Sequence, residues 1–202
     1  MKKQVVTISR EFGSGGRLIG QQLAEDMGVP YYDKELLTRI ADENGFSREM
    51  LEQAEMKAKN AFFYSLSSAF GNADAGPDSM SMNERFFLAQ FDMIKKIAKE
   101  GPCVIVGRCA DYVLRGTGAT NVFIYAETEE KIRRAVEEYG VPEQDAKKLI
   151  RDTDKARANY YNYHTDQRWA EPVNYHLSLD SGYLPVANIV KLIETYLELR
   201  SA

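Results

Sequence analysis

The stretch Val5-Val6-Thr7-Ile8-Ser9-Arg10-Glu11-Phe12-Gly13-Ser14-Gly15-Gly16-Arg17-Leu18-Ile19-Gly20 decides how this chain folds. Its apolar and β-branched opening suits a buried strand, and the residues behind that opening read as a glycine-rich turn running into a helix. Gly13, Gly15 and Gly16 admit backbone conformations closed to other residues, so several N–H groups can point inward, and the helix behind them adds the positive end of its dipole. Such a concavity binds phosphate. The same glycines also suit a tight strand-to-helix connection and nothing more; their place after the first strand of an α/β chain favours the phosphate reading.

The rest of the chain alternates helix and strand. Leu18, Ile19, Leu23, Ala24 and Met27 space one helical face that Gly28 ends, and Val29-Pro30-Tyr31-Tyr32 reads as a short edge strand. A helical pattern from Asn83 to Glu100 leads through Gly101-Pro102 into the apolar run Cys103-Val104-Ile105-Val106-Gly107. Asn121 to Ala126 and Tyr175 to Asp180 give two more strands, with helices expected over Thr128 to Tyr139, Pro142 to Asn162 and Pro185 to Leu199. Strands separated by helices predict a three-layer α/β fold on a five-stranded parallel sheet, with ligands outside the carboxyl ends of the strands.

With 202 residues, 44% of them hydrophobic, the chain is read as a single domain, 1–202. A net charge of -4 and a pI near 5.4 argue against a general nucleic-acid binder, so any polyanion site must be local. Four apolar residues after Met1-Lys2-Lys3-Gln4 are too few for a signal peptide, and no run approaches a membrane span, which makes a cytoplasmic protein the expectation. Cys103 and Cys109 form neither a disulfide framework nor a metal-ligand spacing, and His164 and His176 carry no motif. Two segments fall outside the sheet: 46–82, whose Gly71 to Ser79 has no periodicity and suits an inserted flap, and 133–169, a charge-rich helical stretch.

Laid without gaps on a G-x-x-G-x-G-K-G-T phosphate loop, the opening has Arg10 at the first glycine and lacks two chemical groups: Gly16 stands at the lysine and Leu18 at the hydroxyl that would hold Mg²⁺. Arg17, one position on, is the basic residue available, and its guanidinium can fork onto phosphate oxygens. Four stretches together resemble the cytidylate kinase-like family, relatives of the P-loop nucleoside monophosphate kinases, over nearly the whole chain. They are Ser9 to Arg17; Tyr32-Asp33 with Arg39; Gly107-Arg108 after a buried strand, like the family's G-R-D; and Asp154-Lys155-Ala156-Arg157, like its D-x-x-R lid motif.

The resemblance implies phosphoryl transfer from ATP to a nucleoside monophosphate, CMP first, with Mg²⁺ as the accompanying ion. It assigns ATP phosphates to Gly13, Ser14, Gly15, Gly16 and Arg17. It assigns the acceptor to Asp33, Arg39, Arg108, Asp111, Asp154 and Arg157, and places Arg17, Arg108, Arg151 and Arg157 at the transferred phosphate. The segment 46–82 becomes an acceptor-side flap and 133–169 a helical lid. Arg151, Asp154 and Arg157 lie at steps of three and share a broad helix face. Cys109 stands where the family has the aspartate of G-R-D, which leaves Asp111 as its replacement; Ser14, Asp111 or water remain for the ion. Tyr160 to Thr165 and Trp169 could stack on a base or pack in the core. Two other functions stay open: a small-molecule kinase of different specificity, and a nucleotide- or anion-binding regulatory protein without catalysis.

Overall fold

A computed structural model describes residues 4–33, 36, 38–40 and 82–201. Strands β1 (Val6–Arg10), β2 (Tyr31–Tyr32), β3 (Val104–Val106), β4 (Thr120–Tyr125) and β5 (Leu177–Asp180) form one sheet ordered β2-β3-β1-β4-β5, with every pair parallel. Helices α1 (Gly16–Met27), α2 (Met82–Glu100), α3 (Ala110–Val113), α4 (Thr128–Glu137), α5 (Glu143–His164) and α6 (Val186–Ser201) lie around it, with a 3₁₀ turn at Pro172–Asn174.

The period-2 pleat divides the core into two layers. Val6 and Ile8 of β1, Val104 and Val106 of β3, and Val122 and Ile124 of β4 face Ile19 and Leu23 of α1 and Ile189 and Ile193 of α6. On the other face, Ile105 meets Met93, Ile94 and Ile97 of α2 and Val113 of α3. A third, smaller cluster of Ala135, Ala146 and Ile150 seats α4 and α5 against Phe12 of the glycine turn. The expected three-layer α/β sandwich is the observed one.

Differences from the sequence reading are local. β2 is confined to Tyr31–Tyr32, although Pro30 O still accepts from Val104 N at 2.9 Å. At four residues α3 is too short to leave a periodic signal. Residues 138–142 join α4 to α5, so the lid-like segment is a hairpin of helices. The expected flap, 46–82, lies outside the described residues except for Met82. Among the described residues, no helix is long and apolar enough to cross a membrane.

Ile124, fully buried at the centre of the larger core, tests this layering. Ile124→Ala is expected to cost about 2–5 kcal/mol in urea unfolding with an unchanged m-value, whereas a cost below about 1 kcal/mol would contradict the packing.

Candidate functional site

The glycine turn between β1 and α1 adopts its shape because two residues have positive φ, Gly13 at 78° and Gly15 at 73°. Space is also limiting: a Cβ at Gly16 would lie 2.5 Å from Arg10 Cβ. The turn is fastened from outside, since buried Arg134 donates to Gly13 O at 2.6 Å and Ser181 Oγ to Ser14 O at 2.6 Å. Its N–H groups meet the protein as well. Phe12 N donates to Asp154 Oδ1 at 2.6 Å and Ser14 N to Glu11 O at 3.5 Å. A carboxylate of α5 therefore already sits against the turn, and burial holds the Asp154 pKa above the usual carboxylate range. Buried Lys131 stands behind it, 2.9 Å from Glu11 Oε2 and 3.7 Å from Asp154 Oδ2.

Beside the turn, at the carboxyl ends of β1 and β3, positive charge collects. Arg10 ends β1 and lies 3.8 Å from Asp33 Oδ1, while Arg17 Nε lies 2.8 Å from Asp33 Oδ2. Arg157 of α5 donates to Arg10 O at 3.2 Å and to Asp154 Oδ1 at 3.3 Å. Burial, then repulsion from Arg157 and Arg108, outweighs the attraction of Asp33 and lowers the Arg10 pKa to about 9. Arg157 is lowered too, by burial and with Arg108 opposing its charge. A guanidinium resists deprotonation, so such crowding is relieved by a bound anion. Arg10 Nε, buried and without a hydrogen-bond partner among the described residues, is a donor left for one.

Arg108 reaches this place on a strained turn. Gly107, Arg108 and Cys109 come after β3 with φ of 74°, 61° and 55°, and left-handed backbone at the two non-glycine residues costs about 1–3 kcal/mol each. Gly107 suits this turn because its φ favours glycine and because a Cβ there would meet the Arg10 guanidinium, which would have to shift. Gln90, completely buried on α2, donates from Nε2 to Arg108 O at 3.1 Å and to the Tyr160 hydroxyl at 3.2 Å.

The remaining expected site residues are placed differently. Arg39 forks onto Glu100 at 3.1 Å and bonds the Tyr32 hydroxyl at 3.3 Å; Glu100 precedes β3 whereas Arg108 comes after it. Arg151 is exposed and pairs with its neighbour Asp152 at 3.1 Å. Two steps of three residues turn a helix by about −120°, which carries Arg151 off the face that seats Asp154 and Arg157. Asp111 is buried as a core acceptor, taking bonds from Ser9 Oγ at 3.3 Å and the Tyr161 hydroxyl at 2.7 Å, and burial raises its pKa. Ser14 is fully buried with its hydroxyl donating to Glu11 O at 2.9 Å, and the Leu18 side chain carries no atom that could bind Mg²⁺. Among the described residues, no cluster of His, Cys, Asp or Glu could hold a metal ion.

Trp169 packs edge-on against Phe123, and His164 stacks on Phe87 at 4.1 Å, placing both in aromatic packing. Cys103 is buried, and burial pushes its thiol up to about 12, consistent with a core role. Sequence reasoning passed over Arg10, read as a missing glycine, although a cation ending an apolar strand beside a glycine turn was a signal. Arg134, Lys131 and Gln90 gave none, since each is one charged or polar residue among many on its helix. A hollow of about 330 Å³ lined by Arg133, Arg134, Ser181, Tyr183 and Pro185 opens beside the turn.

A parallel sheet with a glycine turn after its first strand and arginines at the strand ends defines a P-loop kinase type of α/β protein. The chain belongs to the cytidylate kinase-like family, which matches residues 5–183. It is similar to a crystal structure of an uncharacterised protein from Eubacterium ventriosum at 26% identity, with a TM-score of 0.73 over 97% of this chain and 99% of that one. A shikimate kinase from Bacteroides thetaiotaomicron (16% identity, TM-score 0.53, 96% and 98% covered) and a gluconokinase from Sinorhizobium meliloti (14%, 0.52, 94% and 88%) share the fold. No curated protein matches the chain. Fold and family are both kinase-like.

Gly107→Ala is expected to push Arg10 from its seat. Calorimetric titration with inorganic phosphate should show affinity reduced about tenfold or more, and wild-type affinity would contradict the close approach of Arg10 to this turn.

Proposed function

We propose that this protein transfers a phosphoryl group from ATP to a small phosphorylated acceptor, a nucleoside monophosphate with CMP as first choice. The observation that carries the proposal is that Arg10, at the end of β1 and 3.8 Å from Asp33 Oδ1, has its guanidinium against the Gly107-Arg108 turn that follows β3 and its carbonyl bonded by Arg157 of α5. Phosphoryl transfer needs little covalent help from protein; it needs two phosphates held in line, with their charge neutralised and water kept out. Arg10, Arg108 and Arg157 would grip the acceptor phosphate, and Arg157 with Asp154 would recognise the rest of the acceptor from α5. Arg17, oriented by Asp33, would meet the donor phosphates at the turn of Gly13 to Gly16, and the hollow beside Arg134 and Tyr183 would take the nucleoside end of ATP. Binding at the turn would displace the Asp154 carboxylate from Phe12 N, coupling donor binding to movement of α5. The chain is proposed to act as one domain, with 46–82 on the acceptor side and α4 and α5 as the lid.

A second reading has its own support. With Leu18 at the hydroxyl position and Ser14 fully buried, the loop lacks the exposed hydroxyl of the usual phosphate loop, which suits a nucleotide-binding regulator without turnover. ADP formation from Mg-ATP across a panel of nucleoside monophosphates and other small acceptors separates the two. The kinase reading expects turnover with at least one acceptor; binding of nucleotides without turnover would favour the regulator.

With the active acceptor, Arg10→Met and Arg108→Met should each lower kcat/KM roughly ten- to a hundredfold, the loss of one or more charge-assisted bonds of about 1.5–3 kcal/mol. Wild-type kcat/KM in both variants would remove the cluster from the mechanism.

A further inference from the structure

We propose that Gln90 is a positioning residue of the acceptor site: it ties the strained Arg108 turn to the lid helix and thereby sets Arg108 against Arg157. This rests on the reading of the arginine cluster as a phosphate site. Gln90 interrupts the apolar stripe that α2 turns to the sheet, where Met93, Ile94 and Ile97 are all buried, and it is itself completely buried. An apolar side chain would continue that stripe. The amide instead makes two donations from one nitrogen, to Arg108 O at 3.1 Å and to the Tyr160 hydroxyl at 3.2 Å. Because a carbonyl can only accept, the Arg108 bond fixes which end of the amide faces the turn. The other end, Oε1, is buried with no hydrogen-bond partner among the described residues, so the orientation is held by the two donations alone.

Both partners belong to the cluster's framework. Arg108 stands with φ 61° between Gly107 and Cys109 at 74° and 55°, a turn that needs an outside hold to persist. Tyr160 lies three residues, less than one helical turn, beyond Arg157 on α5, and its ring is packed by Phe87 and His164. Arg157 in turn donates to Arg10 O, and the Arg10 guanidinium lies over Gly107. Gln90 thus closes a ring of contacts running from α2 through the Arg108 turn, Arg10 and Arg157 back to Tyr160. It touches no substrate; it acts through Arg108 and Tyr160.

The test compares wild type, Gln90→Met, which keeps the bulk and donates nothing, Tyr160→Phe, and the double variant. KM for the acceptor, KM for Mg-ATP and the affinity for inorganic phosphate are measured for each. Gln90→Met should raise acceptor KM and weaken phosphate binding about tenfold, with KM for Mg-ATP within about twofold of wild type. Tyr160→Phe should show a smaller loss of the same kind and add little to Gln90→Met. Wild-type acceptor KM and phosphate affinity in Gln90→Met, or equal rises in both KM values, would overturn the role. Should Gln90→Met not fold, Tyr160→Phe decides, and wild-type acceptor KM and phosphate affinity there would overturn it. A wild-type protein that neither binds phosphate nor turns over any acceptor would overturn both this inference and the kinase reading. Wild-type phosphate binding that survives undiminished in the variants would overturn this inference alone.

Discussion

The structure depends on one electrostatic constraint, the seating of the Arg10 guanidinium, mostly buried, at the end of β1 beside Arg108 and Arg157, with Asp33 as its nearby carboxylate. Like charges this close repel strongly where water is scarce, so each must be held in place by something else. Asp33 spans Arg10 and Arg17, Asp154 holds Arg157, the strained turn after β3 carries Arg108, and Gly107 leaves room for Arg10. The glycine turn, α5 and the switch in strand order all meet at this point.

Much of the fold was legible in the sequence because burial writes periodicity. Val6, Ile8, Val104, Val106, Val122 and Ile124 show the pleat, and Leu23 with Met27 before Gly28 shows an amphipathic helix and its stop. The glycine turn was legible for a related reason, since only glycine fills positive φ at positions 13 and 15 without strain. The site was less so. Motif spacing named Arg39, Arg108 and Arg157, and helix spacing added Arg151, but spacing does not record that Arg39 pairs with Glu100 or that Arg151 turns to the surface beside Asp152. Arg10 and Gln90 matter through neighbours about a hundred, and seventy, residues distant in sequence, and no local pattern carries that.

The departures from the usual phosphate loop acquire a physical reading. In place of a lysine in the loop, the chain surrounds the loop with cations from other elements: Arg134 on the Gly13 carbonyl, Lys131 behind Asp154, Arg17 on the first turn of α1. Asp154 against Phe12 N supplies an internal anion in their midst. Under the proposed function, such a charge distribution would favour an incoming phosphate over water and would make the seating of α5 and the occupancy of the loop two aspects of one equilibrium.

The most direct measurement is a crystal structure of the protein grown with inorganic phosphate or CMP. A phosphoryl group within hydrogen-bond distance of Arg10, Arg108 and Arg157 together is the result expected. An anion bound elsewhere, with those arginines in their present contacts and the cluster empty at saturating ligand, would contradict the account.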